Sequence, residues 1–218
     1  LRWRPAELKA LEKLFSHDRA NVTPLIEFIM PGPSVKKQDN KIVVTKTPKE
    51  KFSETLPDIA KDILKSHGEN AVFVDVHLLS SDIRASSLNQ ILTASSELSL
   101  FPVPVTHIIP VTSTGADMET RAIAVNSAKT SGHGLCIRID KSHLEDANIS
   151  SHIINFLTEN QLNIENTDLL IDLRIVDQDT NVVGVAQQLA TLPNLEKWRS
   201  FIVSCGVFPK DLTDYAAG

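Results

Sequence analysis

Short apolar stretches alternate with amphipathic stretches along the whole chain, and this alternation predicts strands and helices in turn. The predicted strands lie in VTPLIEFI, AVFVDVHLL, VTHIIPVT, GLCIRID, DLLIDLRIV and RSFIVSCGVF. Helices are predicted between them, at 5–15, 51–66, 86–98, 118–129, 142–160 (with Ser142 as N-cap) and 182–192. Because helices separate the strands, the strands are expected to be parallel and joined by right-handed crossovers.

The first residues, LRWR, are interpreted as the tail of a further strand, which raises the predicted number of strands to seven. This order predicts a TIM-like (β/α)8 barrel whose first strand is trimmed and whose eighth unit is missing. An open parallel sheet is the alternative, but such sheets usually carry a glycine-rich turn after the first strand. The corresponding turn here, RWRPAE, has no glycine. We expect one domain over residues 1–218, with an inserted Lys- and Pro-rich loop at about 31–50 that contains a short strand, KIVVT.

Alternate residues of a strand point to opposite faces of the sheet, and each alternating set is called a parity here. Three of the predicted strands carry charged side chains on one parity only. The purely apolar parity includes Val74, Ile137 and Ile171 and is expected to face the helices. The mixed parity is expected to face the barrel interior, and its polar members are Asp75, His77, Arg138, Asp140, Asp172 and Arg174. These residues lie toward the carboxyl ends of the strands, where barrel enzymes build their active sites.

The same placement is expected for Glu27, His107 and Ser204, and Arg2 and Arg4 complete a ring of charge. The candidate catalytic residues are therefore Glu27, Asp75, Asp172 and His77. The candidate ligand-binding residues are Arg2, Arg4, His107, Arg138, Arg174 and Ser204. Burying such charges without partners costs several kcal/mol each, so the ring is either a ligand site or a self-neutralising structural network.

As a site, the ring would bind or act on a small anionic ligand, phosphorylated or nucleotide-like. Arginine side chains bind oxyanions through paired hydrogen bonds, and carboxylates and histidines act as general acids and bases. Glu27, Asp75 and Asp172 could also hold a divalent metal, but no spacing demands it, so the sequence assigns neither a metal nor a cofactor. As a network, the ring would belong to a non-catalytic scaffold for protein–protein recognition, for instance in phage–host conflict.

Composition narrows the classes of protein to consider. Hydrophobic residues make up 42% and charged residues 22% of the chain, which are ordinary values for a globular protein. A net charge of −5 argues against a general nucleic-acid binder. No apolar run reaches the roughly 18 residues of a membrane helix, and no signal peptide is recognisable. Cys136 and Cys205 lie in strand-like segments and are expected to be buried free thiols in a reducing cytoplasm.

Three segments, LRWRPAELKALEKL, VTPLIEF and WRSFIVSCGVFPKDL, resemble the beta family proteins of tailed phages and bacteria. That family has a strand ending in Lys/Arg-Trp-Lys/Arg, a Glu that opens a helix, then Thr-Pro-Leu-Ile/Phe-Glu, and later Phe-Pro. The resemblance marks as family positions Arg2, Trp3, Arg4, Glu7, Pro24, Glu27, Phe208 and Pro209. The chain departs from the pattern at Pro5-Ala6 and in the long segment after Glu27. The resemblance supports the βα fold and implies no particular reaction.

Overall fold

The structure is a computed structural model that describes residues 1–38, 41–98, 105–176 and 180–206. Its strands are β1 Leu25–Glu27, β2 Ser34–Gln38, β3 Lys41–Lys46, β4 Val72–Asp75, β5 Ile108–Thr112, β6 Leu135–Asp140, β7 Thr167–Ile175 and β8 Ser200–Gly206. Its helices are α1 Pro5–Glu12, α2 Ser16–Ala20, α3 Pro48–Thr55, α4 Ile59–His67, α5 Ser81–Leu98, α6 Met118–Ser131, α7 Lys141–Leu144, α8 Ile149–Glu159 and α9 Val182–Ala190. Short 3₁₀ helices span Leu56–Asp58, Ile164–Asn166 and Leu195–Lys197.

Six strands form one parallel sheet in the order β1-β4-β5-β6-β7-β8. Helices connect the successive strands of this sheet, which confirms the predicted α/β alternation. Barrel closure requires every strand to have two neighbours, whereas the strand order of the described residues has two ends. The predicted closed (β/α)8 barrel is therefore wrong, and the alternative, an open parallel sheet, is confirmed.

The first residues of the chain lie beside β1 in a parallel arrangement, as the LRWR segment predicts. The backbone N–H of Glu27 donates to the carbonyl of Leu1 at 2.7 Å, and that of Trp3 donates to the carbonyl of Glu27 at 2.8 Å. Arg2 and Glu27 thereby form an isolated parallel bridge. The Glu7 carboxylate in the first turn of α1 accepts a hydrogen bond from the Arg2 N–H at 2.6 Å, which fixes how the chain turns into the helix.

The chain divides into two compact units, Leu1–Cys136 and Ile137–Gly218. In the first unit the core lies between the sheet and its helices. The Phe28 ring lies 4.9 Å from that of Trp3 and 6.3 Å from that of Phe52 on α3. Because β1 and β4 pair with Ile26 opposite Val74, the parity of Ile26, Phe28 and Val74 faces this helix layer, as predicted.

The segment expected to be a Lys- and Pro-rich loop contains a β-hairpin. Strands β2 and β3 pair in an antiparallel two-stranded sheet separate from the main one. The KIVVT stretch is predicted as a short strand, and β3 confirms it; β2 is not predicted, because SVKKQ lacks the apolar–polar alternation that indicates a strand. Thr47 then caps α3 in a capping box with Glu50, so the predicted helix at 51–66 begins earlier, at Pro48.

In the second unit β7 and β8 pair in parallel, with Leu169 opposite Phe201 and Ile171 opposite Val203. The prediction of one continuous helix over 142–160 is wrong, because the segment forms two helices: α7 ends at Leu144 and α8 begins at Ile149. Two aspartates cause the interruption. Asp140, not Ser142, caps α7 by accepting the His143 N–H, and Asp146 accepts the Asn148 N–H in a local turn.

The two cysteines differ in exposure. Cys136 on β6 is buried, as predicted, and Cys205 on β8 is exposed, so the prediction that both thiols are buried is wrong for Cys205. The reason is that Cys205 lies near the end of a strand at one limit of the strand order, where its residues are largely open to solvent. None of the helices in the described part of the chain is long and apolar enough to cross a bilayer.

Candidate functional site

Two carboxylates lie side by side at the carboxyl edge of the sheet in the first unit. Glu27 is the last residue of β1, Asp75 is the last residue of β4, and the two are register partners. Parallel neighbours in register present their side chains on the same face of a sheet. Arg2 is the bridge partner of Glu27 on its other side, so Arg2, Glu27 and Asp75 form one row across three adjacent chain segments.

His77 joins this row from the turn that follows β4. Its backbone N–H donates to Asp75 Oδ1 at 2.8 Å, and its ring Nδ1 lies 3.1 Å from the same oxygen. Its ring Nε2 lies 3.8 Å from Glu27 Oε1. The imidazole is therefore held between the two carboxylates, with one ring nitrogen directed at each.

The three side chains differ in their access to solvent. The side chain of Asp75 is 3% exposed, that of Glu27 is 18% exposed, and that of His77 is 30% exposed. A ligand from solvent would therefore meet His77 and Glu27 first. Asp75 lies beneath the imidazole, where it can orient the ring.

Arg84 on α5 holds the turn that carries His77. One of its guanidinium nitrogens, Nη2, donates to the carbonyls of His77 at 2.8 Å and Leu79 at 2.9 Å. Its other terminal nitrogen, Nη1, lies 3.5 Å from Asp117 Oδ2, and Asp117 caps α6 by accepting the Thr120 N–H. Burial raises the pKa of Asp117, but the Thr120 hydrogen bonds and the Arg84 charge outweigh burial and leave the pKa lowered. Asp117 therefore stays ionised beside Arg84.

Glu27, Asp75 and His77 have a donor set that could hold a metal ion. Each offers one ligand atom, and these atoms lie within 4.8 Å of one another. The same set can also exchange protons, because a histidine between carboxylates is a common acid–base arrangement. Sequence reasoning named all three residues but combined Glu27 and Asp75 with Asp172 as metal ligands. The structure instead groups them with His77.

Asp172 belongs to a second charged group, in the second unit. Its Oδ2 is hydrogen-bonded to Nη2 of Arg138 and lies 3.2 Å from Nε of Arg174. The side chains of Arg138 and Asp172 are 8% and 11% exposed. Ser204 is the register partner of Asp172 and therefore shares its face of the sheet. The charges of the buried Arg138–Asp172 pair offset each other, as a structural pair requires, and Arg174, whose side chain is 48% exposed, adds a second guanidinium group.

Arg174 departs from the predicted alternation because β7 contains a bulge. The register shifts by one residue between Asp172 and Ile175, and Arg174 adopts the left-handed conformation with φ 59°. Its backbone N–H donates to Asp172 Oδ1 at 2.9 Å, which stabilises this unusual backbone. Ile175, not Arg174, occupies the register position level with Gly206.

His107 is misplaced by the sequence interpretation. It precedes β5, and its carbonyl accepts the N–H of Val72, the first residue of β4. His107 therefore lies at the amino end of the sheet, where its ring contacts His133 at 4.7 Å, and Glu27 and Asp75 lie at the opposite end. His107 is the third residue of VTHIIPVT, so its position in that predicted strand already lies toward the amino end, and the expectation that it reaches the carboxyl edge is wrong.

The two arginines of the opening segment occupy different positions. Arg2 lies in the row with Glu27 and Asp75, and Arg4 is the exposed N-cap residue of α1. Phe208 and Pro209, the late family positions, lie outside the described residues.

Sequence reasoning missed Arg84, which anchors the turn around His77. The sequence predicts that the helix begins only at 86, which leaves Arg84 outside it, whereas α5 begins at Ser81 and carries Arg84 in its first turn. Sequence reasoning also missed Asp168, which binds Arg199 through Nε at 3.0 Å and Ser200 at 2.6 Å at the amino end of β7.

Comparison with protein-family models identifies a family for the chain. The Beta protein family matches residues 1–218, the whole chain. No curated protein and no solved structure matches. The chain therefore belongs to the Beta protein family, which agrees with the resemblance of its opening and closing segments.

Proposed function

We propose that this member of the Beta protein family binds a small anionic ligand, phosphorylated or nucleotide-like, and acts on it at the carboxyl ends of β1 and β4. The observation that carries the proposal is the convergence of Glu27, Asp75 and His77 at that edge of the sheet. Ligands of open parallel sheets bind outside the carboxyl ends of the strands.

His77 and Glu27 are the groups that exchange protons with the ligand in this proposal. Their facing atoms, Nε2 and Oε1, lie 3.8 Å apart, so an oxygen atom of a ligand could contact both. On the other side of the ring, His77 Nδ1 lies 3.1 Å from Asp75 Oδ1. Asp75 therefore positions His77, and it holds the imidazole with Nε2 toward the ligand.

Arg2 supplies positive charge to the same row. It is exposed and shares the sheet face of Glu27 through their bridge. A guanidinium group can bind two oxygens of a phosphate or carboxylate at once. Arg4, in the next turn of the chain, adds a second cation near this edge of the strand.

The buried pair of Arg138 and Asp172 supports a structural role for those two residues. Arg174 adds one exposed positive charge beside them, and Ser204 shares the face of Asp172. Recognition of a protein partner, a phage-related context and a cytoplasmic location stay predictions. If no anionic ligand binds at Glu27 and His77, the alternative function, a non-catalytic scaffold for protein–protein recognition, is favoured instead.

The test is a panel of phosphorylated compounds, including inorganic phosphate, nucleoside monophosphates and sugar phosphates, assayed for thermal stabilisation and for turnover. Glu27→Gln and His77→Gln keep the approximate shape of each side chain; both should abolish turnover, and His77→Gln should also weaken stabilisation by the ligand because it loses a contact to the anion. His17→Gln is the matched control, because His17 lies 3.1 Å from the Asp18 carboxylate on an exposed helix. Equal responses of all three variants would refute the proposal.

A further inference from the structure

We propose that the β2–β3 hairpin binds an extended acidic segment of a partner protein, which adds to the outer edge of β2 as a third strand. The inference assigns an interaction surface and the chemistry of the partner that fits it. It does not rest on the proposed function, because the hairpin shares no residue with the group at the carboxyl ends of β1 and β4.

The hairpin has an edge that can take another strand. Among the described residues, β2 and β3 pair only with each other, in a sheet separate from the main one. A two-stranded hairpin is marginally stable in water, and a third strand adds stability. The backbone N–H and C=O groups along the outer edge of β2 are therefore a template to which an extended peptide can hydrogen-bond.

Helix α3 fixes the base of the hairpin. Lys46, the last residue of β3, has its Nζ 2.7 Å from the Glu54 carboxylate on α3. Lys51, also on α3, donates from Nζ to the carbonyl of Gly32, just before β2, at 3.4 Å. The helix thus contacts the chain at both ends of the hairpin, which gives the edge of β2 a defined position.

Positive charge is concentrated on the hairpin. Residues 34–46 contain four lysines and one aspartate, a net charge of +3, whereas the whole chain carries −5, so the residues outside the hairpin carry −8. Lys46 is paired with Glu54, but Lys36 and Lys37 on β2 are exposed and form no ion pair with any residue that the structure describes. These two lysines would attract the carboxylates of a segment that lies along β2.

Exposed valines lie beside these lysines. Val35 on β2 and Val44 on β3 are register partners and therefore share one face of the hairpin. Their exposed fractions are 57% and 56%. A strand added to β2 would place one side chain next to Val35 on that face, at the spacing of a cross-strand pair, and an apolar side chain in that position would cover it.

Two other occupants fit this edge less well. A second copy that paired through the same edge would bring Lys36 and Lys37 of both chains together, and like charges opposite one another destabilise paired strands. The phosphates of a nucleic acid would pair with the lysines but would leave Val35 and Val44 without an apolar contact. A segment with an apolar residue beside Val35 and carboxylates beside the two lysines matches both features.

The experiment uses the full chain and a fluorescently labelled peptide, Thr-Val-Glu-Glu-Thr-Val-Glu-Glu, whose binding is followed by anisotropy. A peptide with lysine in place of each glutamate is the control for charge. We expect the glutamate peptide to bind saturably and more weakly as salt is raised. Backbone amides at 34–37 should exchange hydrogen more slowly with the peptide bound, because the added strand takes their outer edge.

Variants separate the charge from the apolar contact. Lys36→Gln/Lys37→Gln should raise the dissociation constant of the glutamate peptide at least about tenfold, because both attracting charges are lost. Val35→Thr keeps the branched shape and should raise it about fourfold, because a covered methyl group is lost. The matched control, Lys65→Gln/Lys129→Gln, removes two exposed lysines on α4 and α6 and should bind like the wild type. Hydrogen exchange without peptide checks that β2 still pairs in each variant.

The inference is overturned if the wild type fails to bind the glutamate peptide, binds the lysine peptide as tightly, or loses no affinity in Lys36→Gln/Lys37→Gln. Tighter binding of a single-stranded oligothymidylate that needs the two lysines but not Val35 would assign the surface to nucleic acid instead. A dimer whose formation protects 34–37 would assign it to a second copy. Glu27→Gln and His77→Gln should bind the peptide normally, so this inference and the proposed function can fail separately.

Discussion

Asp75 Oδ1 lies within hydrogen-bonding distance of two nitrogens of His77, the backbone N–H at 2.8 Å and the ring Nδ1 at 3.1 Å. One oxygen atom thus fixes both the backbone and the ring of the same residue. Because a ring proton on Nδ1 leaves Nε2 with a lone pair, this contact decides which His77 nitrogen is available to a ligand.

The first prediction concerns this contact. Replacement of Asp75 with Ala should remove the preference of His77 for the tautomer protonated on Nδ1, because nothing of the original acceptor remains. Nitrogen-15 NMR of the histidine rings measures the tautomer directly. The matched control is Asp18→Ala beside the exposed His17, which should leave His77 unchanged. A wild-type His77 ring protonated on Nε2 alone would contradict the assignment of Asp75 as the positioning residue.

The second prediction concerns Arg84. Its loss in Arg84→Ala should cost about 1.5–3 kcal/mol of unfolding free energy, since hydrogen bonds from a charged donor to two carbonyls are lost. Ligand affinity at His77 should fall as well, because the turn is no longer held. Arg84→Lys keeps the charge but not the forked geometry. Its unfolding free energy and ligand affinity should lie between those of the wild type and those of Arg84→Ala. Urea denaturation and ligand titration measure these effects, and an Ala variant as stable as the wild type would refute them.

The third prediction concerns the buried pair of Arg138 and Asp172. Arg138→Ala should reduce the unfolding free energy by about 3–5 kcal/mol, because it leaves a buried carboxylate with less compensation. The double variant Arg138→Met/Asp172→Asn should recover much of that loss, since an amide oxygen can still accept the Arg174 N–H. Denaturation midpoints test both. If Arg138→Ala instead abolished ligand binding and left stability intact, the group would be a site and not a structural network.

The fourth prediction concerns the pH dependence of stability. His67, the last residue of α4, is completely buried, and burial lowers its pKa from the ordinary value, with Arg19 acting in the same direction. Below a pH of about 6.5 the unfolded chain takes up a proton that the folded protein does not. Stability from this residue is therefore present above that pH and is lost as the pH falls toward the lowered pKa. The difference between the urea midpoints at pH 7.5 and 5.5 should be smaller in His67→Gln than in the wild type. An equal difference in the two proteins would contradict the role of His67.

The sequence predicts the local features well, because each depends on neighbouring residues. The period of two in VFVDVHLL places Asp75 and Val74 on opposite faces, and the structure agrees. Features set by distant parts of the chain are not predictable in this way. Whether the sheet closes depends on the pairing of its outermost strands, and the interaction of Arg84 with the His77 turn joins a helix to a loop. The bulge at Arg174 adds one residue to a strand without any glycine to indicate it.

The most direct test of the account follows the histidine ring resonances by NMR while a phosphorylated ligand is titrated into the protein. The account predicts that the His77 resonances shift or broaden in a saturable manner, that those of His17 do not, and that Arg2→Ala weakens the response. Saturable binding that leaves the His77 resonances unchanged would contradict the placement of the site at the carboxyl ends of β1 and β4.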